Sequence, residues 1–524
     1  MRMNLSYADI AVILVYAVSI FTLAQWVSRE KAGHVKNSKD YFLASRNLPW
    51  WAIGTSLIAA NISAEQIIGM SGSGYVIGLG IASYEWMAAL TLLIVGKFFL
   101  PIFLKNQIST MPEFLQRRYG TSVRLVMAIF WLGLYVFVNL TSILWLGATA
   151  VHTVTGLDIE YAMLGLGFFA GAYALYGGLK AVALTDIVQV SLLVLGGLVI
   201  VTIALEKISG SSGFAGVIGG FHTLRAQMPG KFQMILAPDN PSYKDLPGLS
   251  VIVGGMWIMN LSYWGFNQYI IQRALAAKST AEAQSGIVLA AFLKLLMPVL
   301  VVLPGIAAGV LAPHLAKPDQ AYPYLMTLLP TGLLGLVFAA LIAAIIASMG
   351  SKINSIATIF TIDLYRPFNK NASERVLVIV GRITAIVALA AALLTAKPLL
   401  GDLPQAFQYI QEYTGFVTPG IVVIFILGLF WSRATTAGAF VAAIGSVALS
   451  YAYKVYAPEI PFMNRVGYVF LICLGAAVAV SLAQRKTSTS TIDVSNIDYS
   501  TSLPFNVASV FVLGILTALY AAFW

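Results

Sequence analysis

Long apolar stretches with almost no charge dominate this chain of 524 residues. Hydrophobic residues make up 59% of it, charged residues only 10%, and the mean hydropathy is +0.85. Soluble domains carry about 25% charged residues, so this composition excludes a water-soluble globular class. In lipid, every backbone polar group must be bonded within its own segment, which favours helices of about 20 residues. The sequence therefore predicts an all-α polytopic membrane protein.

Applying that helix length along the chain predicts about fourteen transmembrane helices. They cover residues 9–28, 49–75, 82–104, 124–153, 159–177, 181–206, 250–273, 280–312, 331–362, 375–396, 404–430, 435–456, 462–484 and 505–523. The chain then divides into an N-terminal helix with its cytoplasmic loop, two groups of five helices, the connection between them and three C-terminal helices. These divisions are 1–48, 49–206, 207–249, 250–430 and 431–524.

Lysine and arginine residues orient the predicted helices. With the loop after the first helix in the cytoplasm, 19 of the 31 Lys and Arg lie in cytoplasmic loops or at adjoining helix ends. Nine lie outside and three lie within helices. This positive-inside pattern predicts that both termini are extracellular. It also accounts for the net charge of +10 without a nucleic-acid partner.

Polar residues interrupt two of the predicted helices in a matching way. The second contains A-A-N-I-S-A-E-Q (59–66) and the seventh M-N-L-S-Y-W-G-F-N-Q (259–268), each with an Asn-aliphatic-Ser core. Unpaired polar groups are costly in lipid, so these residues must face protein, solvent or a ligand. Five helices run from each interruption, and an odd number inverts the second group, which is typical of inverted-repeat secondary transporters. The alternative is that both are seams of small residues for helix packing.

Several longer motifs extend this interpretation. They are S-L-I-A-A-N-I-S-A-E-Q-I-I-G-M-S-G-S-G-Y, A-S-Y-E-W-M, G-G-L-K-A-V-A-L-T-D-I-V-Q-V, Y-W-G-F-N-Q-Y-I-I-Q-R-A-L-A-A-K and Q-A-F-Q-Y-I-Q-E-Y-T-G. From the first helix to the last, the chain resembles the sodium/solute symporter family, in its branch of sodium/galactose and sodium/glucose cotransporters. The resemblance implies a leucine-transporter type 5+5 inverted repeat that couples inward sodium flow to hexose uptake.

A hexose presents hydroxyl groups and one apolar face, so its site needs polar side chains and an aromatic platform. Polar residues stand out from apolar context at Gln66, Glu85, Asn260, Lys294 and Gln411. By resemblance these residues, with Asn61, bind the sugar hydroxyls. The resemblance also implies that Tyr263 stacks on the sugar and closes the site from the cytoplasm beside Trp264. The residues implied to close it from outside are Met70, Tyr84 and Phe407.

Each of these assignments has a structural alternative. The alternatives are an ion pair between Glu85 and Lys294, interhelical bonds from Gln408 and Gln411, and core packing of Tyr263 and Trp264. The chain also departs from the family at Ala88, where a sugar-contacting serine is expected. That departure leaves the preferred epimer open.

The resemblance implies a sodium site as well. Its ligands would be the carbonyls of Ala59, Ile62 and Ala344 and the hydroxyl of Ser348, and Asp186 would guide the departing ion. A second family hydroxyl is replaced here by Ala347. Close helix packing alone would explain the small residues of the ninth helix, although not the serine.

Other functions compete with sodium-coupled sugar transport. A proton-coupled carrier would need a titrating carboxylate, for which Glu65, Glu85 and Asp186 are candidates. A carrier of amino acids or carboxylates would want a cation near the midplane, and the centre of the fourth helix (134–140) has no Arg. A channel or sensor is a further alternative. An enzyme is disfavoured because the sequence shows no nucleophile–base set or metal cluster.

Overall fold

The computed structural model describes residues 5–28, 48–108, 110–176, 179–484 and 491–524. The side chains of residues 21, 23–28, 173–176 and 179–186 are not described, so the predicted role of Asp186 lies outside the described residues. The basic loop 29–47 and the pair Arg485 and Lys486 lie outside them too. In the described ranges, the regular structure is helical apart from one isolated β-bridge between Leu48 and Ala277.

In chain order the helices are α1 (Tyr7–Ser28), α2 (Trp50–Asn61), α3 (Met70–Val76, preceded directly by the π-helical turn Glu65–Gly69), α4 (Leu79–Lys105), α5 (Met111–Tyr119), α6 (Thr121–Thr155), α7 (Ile159–Tyr176), α8 (Leu179–Ser209), α9 (Gly213–Gln227), α10 (Gly255–Phe266), α11 (Gln268–Leu275), α12 (Thr280–Leu311), α13 (Ala321–Met326), α14 (Leu333–Phe368), α15 (Glu374–Leu400), α16 (Ala406–Phe430), α17 (Thr436–Tyr456), α18 (Phe462–Ala483) and α19 (Leu503–Ala522). Shorter helical turns are Pro229–Phe232, Leu249–Val253 and Pro318–Gln320.

Ten helices in the described part of the chain are long and apolar enough to cross a membrane. They are α4, α6, α8, α12 and α14 to α19. Helices α1 and α7 contain shorter apolar stretches, and the predicted second and seventh helices are each broken in two. The protein is therefore a multi-pass, all-helical membrane protein.

The two predicted interruptions behave differently. Helix α2 ends at Asn61, and Ile62 adopts an extended backbone (φ −69°, ψ 104°) before the π-helical turn begins at Glu65. In the seventh helix, Asn260 lies inside the continuous helix α10, where its amide donates to the carbonyl of Met256 at 3.1 Å. Because its own helix bonds this side chain, no unwinding is needed there. The break follows later, at the extended residue Asn267 (φ −85°, ψ 121°).

Helix α12 lies at the centre of the bundle and packs against α2, α3, α4 and α8. Its approach to α3 is very close, since a Cβ added to Gly305 would lie 2.1 Å from the carbonyl oxygen of Ser71. Small residues permit such backbone contact between membrane helices. This packing holds the polar residue of α12, Lys294, in the interior, where its side chain is fully buried.

Two other helices complete the surroundings of the broken second helix. Helix α14 packs against α1, α7, α8 and α15 and also contacts α2, while α16 contacts the second half of the broken helix and α10. The connection 207–249 contains α9 and is tied to the C-terminal helix, because the amide of Met234 donates to the carbonyl of Phe523 at 2.7 Å. Polar residues of five helices face a common interior: the broken second helix, α4, α10, α12 and α16.

Candidate functional site

A cavity lies beside the break between α2 and α3. The polar residues predicted to bind a sugar all line it: Asn61, Gln66, Glu85, Asn260, Lys294 and Gln411. The predicted gate residues line it too: Met70, Tyr84, Phe407, Tyr263 and Trp264. The structure therefore gathers residues from six helical segments into one site.

A connected set of charged and amide groups forms one wall of the cavity. The Lys294 ammonium lies 2.5 Å from a carboxylate oxygen of Glu85 and also donates to the side-chain oxygen of Asn61. The Gln66 amide donates to the other oxygen of Glu85. Lys294 also lies 4.9 Å from the centre of the Trp264 ring, a cation–π contact. The ion pair considered as a structural alternative is present, and its members face the cavity.

Buried pairing makes this wall suited to hydroxyl ligands. Both Glu85 and Lys294 are almost fully buried, and a buried charge is tolerated when it is paired and hydrogen-bonded. A carboxylate has more lone pairs than these two partners use, and an ammonium has three donors. A polyhydroxy ligand could exchange hydrogen bonds with such groups without leaving either charge uncompensated.

Aromatic residues close the cavity on the predicted outer side. The rings of Tyr84 and Phe407 meet edge to face, with centroids 5.3 Å apart, and Met70 is buried beside the same cavity. Above them, Ser73 of α3 donates to Gln405, the residue preceding α16, at 3.1 Å. These contacts join the second half of the broken helix to α16.

Asp319 reinforces this outer closure. One carboxylate oxygen accepts from the amide of Ala406, the first residue of α16, at 3.1 Å. The other is buried without a hydrogen-bond partner, and a Cβ added to Gly72 of α3 would lie 2.5 Å from it. Burial raises the pKa of Asp319 to about 7, although the hydrogen bond to Ala406 and the charge of Lys317 oppose the shift.

Tyrosines close the cavity on the opposite side. The Tyr263 hydroxyl accepts from the Asn61 amide at 3.0 Å and lies 2.8 Å from the Tyr269 hydroxyl, which donates to it. The Tyr263 and Trp264 rings are 5.1 Å apart, centroid to centroid. Because Asn61 also bonds Lys294, the inner tyrosines belong to the same network as the charged wall.

The break in the second helix frees backbone carbonyls. The Ile62 amide donates to Ile58 at 2.7 Å, and the next amides, those of Gln66 and Ile67, bond the carbonyl of Ser63. Among the described residues, no backbone amide donates across the break to the carbonyls of Ala59 or Ile62. Such carbonyls are the ligands that an unwound transporter helix offers a cation.

Ser348 supplies the matching group on α14. Its hydroxyl is buried without a hydrogen-bond partner, and Ala344 lies one turn earlier on the same face. Helix α14 contacts α2. The Ser348 hydroxyl is therefore free to coordinate a ligand. The four predicted sodium ligands therefore lie on two neighbouring helices, and an ion bound there would pair the free hydroxyl.

Two residues that the sequence analysis singled out, Gln408 and Ala88, do not line the cavity. Gln408 does not line the cavity, and both of its side-chain polar atoms are buried without a partner, whereas Gln411 lines the cavity. Ala88, at the position of the missing serine, is buried in α4 and does not line it either.

The sequence interpretation missed three features near the site. Lys352 of α14 forms a buried ion pair with Glu65 at 3.2 Å, and Asn139 of α6 donates to the same carboxylate at 3.5 Å. Asn267, at the second break, accepts from Tyr135 at 2.6 Å. The available signal for Lys352 was its spacing, four residues after Ser348, together with the rarity of a lysine inside a membrane helix.

Comparison with known proteins identifies the family. The family model described as the sodium:solute symporter family matches residues 41–445. The chain belongs to this family. Family membership confirms the resemblance drawn from the motifs and makes this protein a sodium-coupled transporter of a solute, not an enzyme.

Individual relatives of the chain are sodium-coupled cotransporters as well. This symporter is 49% identical to the sodium/glucose cotransporter of Vibrio parahaemolyticus over 99% of both chains. It is 34% identical to the sodium/myo-inositol cotransporter 2 of Mus musculus, over 83% of this chain and 68% of that protein. Among solved structures, a Na⁺-coupled sialic acid symporter in a substrate-bound outward-open state matches with a TM-score of 0.78 at 21% identity, covering 93% and 99% of the two chains. That likeness shows a shared fold.

Proposed function

We propose that this symporter carries a hexose, galactose or glucose, inward together with sodium. The observation that carries the proposal is the cavity wall of Glu85, Lys294, Asn61 and Gln66, which offers paired charges and amides opposite the tyrosine ring of Tyr263. Such a combination suits a ligand with many hydroxyls and one apolar face. The Vibrio relative, a sodium/glucose cotransporter, supports the same substrate class.

The transport cycle follows from the two sites. Sodium held by Ala59, Ile62, Ala344 and Ser348 would join α14 to the end of α2 and so keep Asn61 in place within the sugar site. Each ligand would then favour the arrangement that binds the other, which is a coupling free energy. Inward release requires Tyr263 to move away from Asn61 and the ion site to separate, and Asp186 would guide the ion out.

The finer architecture is part of the proposal. All fourteen predicted segments would cross a bacterial-type plasma membrane, with both termini outside, as a leucine-transporter type 5+5 inverted repeat in 49–206 and 250–430. The broken helix pairs α2/α3 and α10/α11 support this arrangement, since each begins one group of five. The N-terminal segment 1–48, the connection 207–249 and the C-terminal helices of 431–524 would surround that core.

A second candidate substrate is myo-inositol. It presents a ring of hydroxyls similar in size to a hexose, and a relative of the chain is a sodium/myo-inositol cotransporter. The test uses purified protein in proteoliposomes with labelled galactose, glucose and myo-inositol. We expect accumulation of a hexose under an inward sodium gradient and none under a proton gradient alone. Uptake of myo-inositol in preference to both hexoses would overturn the substrate assignment, and uptake driven by protons would overturn the ion.

The ion site has its own test. Ser348→Ala should abolish sodium-driven accumulation, because it removes the only side-chain ligand proposed for the ion. The matched control is Ser355→Ala on the same helix, whose hydroxyl already bonds the carbonyl of Ser351 at 3.0 Å. Normal sodium-driven accumulation by Ser348→Ala would show that the ion binds elsewhere.

A further inference from the structure

The buried ion pair between Lys352 and Glu65 joins the same two chain segments that offer the proposed sodium ligands. Lys352 follows Ser348 by four residues and Ala344 by eight, so the three share one face of α14. Glu65 begins the π-helical turn three residues after Ile62. The pair, with an N–O distance of 3.2 Å, therefore connects α14 to the broken helix about one turn away from the proposed ion.

Burial makes this pair sensitive to helix movement. The Lys352 side chain is 2% exposed and that of Glu65 is 12% exposed. Separating a buried pair leaves each charge without its partner in a poorly hydrated interior, which is strongly unfavourable. Any rearrangement that moves α14 away from the break must therefore hydrate or re-pair both groups.

The pair is also connected to the inner side of the cavity. The Lys352 ammonium lies 5.1 Å from the centre of the Tyr269 ring, and the Tyr269 hydroxyl donates to Tyr263 at 2.8 Å. Tyr263 in turn accepts from Asn61, which bonds Lys294 in the charged wall. A continuous series of contacts thus runs from the face of α14 that carries Ser348 to the predicted sugar ligands.

We propose that Glu65 and Lys352 are positioning residues that couple the sodium site to the inner gate. This inference rests on the proposed function, because it takes the ion site at Ser348 and the gate at Tyr263. With sodium bound, α14 and the broken helix stay together, the ion pair is intact, and Lys352 holds Tyr269 against Tyr263. When the ion leaves and α14 moves, the pair separates and Tyr269 no longer supports the closed position of Tyr263.

The test measures coupling and not transport alone. Binding of labelled galactose or glucose, whichever the proteoliposome panel identifies, is measured on the purified full chain with saturating sodium and with choline in its place. The ratio of the two dissociation constants reports coupling, which in proteins is typically about 5-fold to 150-fold. We expect Lys352→Met and Glu65→Gln to bind sugar in saturating sodium while this ratio falls to about one. Lys352→Arg should keep most of the wild-type ratio, because the charge and the ring contact remain.

Controls separate this role from a structural one. Glu65→Gln/Lys352→Met removes both charges and so leaves none buried without a partner, and it should also show a ratio near one. Lys454→Met breaks another interhelical ion pair, with Glu412 at 3.0 Å, and should keep the wild-type ratio. A wild-type ratio in the double variant, or equal loss of the ratio in Lys454→Met, would overturn the proposal.

Ser348→Ala distinguishes failure of the inference from failure of the proposed function. If sodium no longer raises the sugar affinity of Ser348→Ala but still raises that of Glu65→Gln/Lys352→Met, the ion site stands and the coupling role of the pair is wrong. If sodium still raises the sugar affinity of Ser348→Ala, the ion site itself is misplaced, and the coupling route from it is overturned as well.

Discussion

At the residue scale, two glutamines on α16 show how a three-residue offset changes a role. Gln411 lines the cavity, whereas Gln408 is directed elsewhere and has no hydrogen-bond partner for either polar atom of its side chain. Both are equally polar and lie in the same apolar context. The difference arises because the helix presents Gln411 to the cavity and does not present Gln408 to it.

These two residues give a matched pair of variants. Gln411→Ala should weaken sugar binding by about 1–3 kcal/mol, the usual cost of leaving a buried polar partner unbonded. Gln408→Ala should leave sugar affinity unchanged, since it removes atoms that bond nothing in the described structure. Isothermal calorimetry or equilibrium binding of labelled sugar would measure both. Equal effects of the two substitutions would contradict the assignment of Gln411.

Tyr263 offers a ring and a hydroxyl that can be tested separately. Tyr263→Phe keeps the ring but loses the hydrogen bonds with Asn61 and Tyr269, each worth about 0.5–1.5 kcal/mol. We expect it to keep most of the sodium-driven transport, because the aromatic ring that would stack on the sugar remains. Tyr263→Ala should lose both sugar stacking and the gate, with much lower uptake in proteoliposomes. Equal damage from both substitutions would mean that the hydroxyl matters more than the ring.

At the scale of elements, the bundle depends on close contacts between α12 and the second half of the broken helix. Gly305 of α12 lies so near Ser71 that any side chain there must separate the two backbones. Gly74 faces α12 in the same way, because an added Cβ would lie 2.8 Å from the carbonyl of Val302. These helices position Met70 and Lys294 on either side of the cavity, so their separation would also disturb the site.

Gly305→Ala should therefore destabilise the protein and lower sugar affinity. Overpacking of this kind costs typically about 1–3 kcal/mol. The control is Gly514→Ala on α19, where an added Cβ meets nothing within 4 Å. Thermal unfolding in detergent measures the difference. An unfolding midpoint for Gly305→Ala that equals that of Gly514→Ala would contradict the close approach of α12 and α3.

The outer closure predicts a pH dependence. Burial raises the pKa of Asp319 from its usual 3.8 to about 7, so between these pH values the folded protein binds a proton that the unfolded chain releases. Stability from this group is fully present below the unfolded pKa and is lost as pH rises through about 7. The unfolding temperature should therefore rise as pH falls from about 8 to about 6. Asp319→Asn should flatten this response, whereas Asp239→Asn, at an exposed carboxylate, should retain it.

A pH response that is the same in Asp319→Asn and in the wild type would contradict this account. The response concerns closure on the predicted outer side and is distinct from proton-driven transport. An imposed proton gradient should still drive no sugar accumulation.

At the scale of the whole molecule, the stoichiometry of transport depends on how many cations the interior can hold. Ala347 and Gly350 provide no hydroxyl on the face of α14 beyond Ser348, although Ser351 does. Lys352, one turn after Ser348, already provides a positive charge, and this charge is paired with Glu65. A second sodium near this ammonium would be repelled by it unless a further carboxylate compensated the charge.

We therefore expect one sodium per sugar and one net charge moved inward per cycle. A membrane potential would then contribute about 2.3 kcal/mol per 100 mV to accumulation. Reversal potentials measured in proteoliposomes at fixed sodium and sugar gradients give the coupling ratio. A ratio near two would contradict this prediction and point to Asp186 with Ser351 as a second site.

The sequence alone determined the class of protein and indicated several of the residues that line the cavity. Apolar runs of membrane length must be helices in lipid, and polar residues within them must face the interior, so both follow from local composition. Gln66, Glu85, Asn260 and Lys294 stood out for this reason, and all line one cavity. The motifs also identified the family correctly.

Only the tertiary structure decided which of these polar groups pair. Lys352 meets Glu65 across 287 positions of sequence, and nothing in either local pattern names the other as its partner. The same holds for the second break, which falls at Asn267, whereas Asn260 is bonded within its own helix. Composition shows that a polar side chain must turn away from lipid. The direction in which it turns, and the group it meets there, depend on how distant helices pack, and that is a property of the assembled bundle.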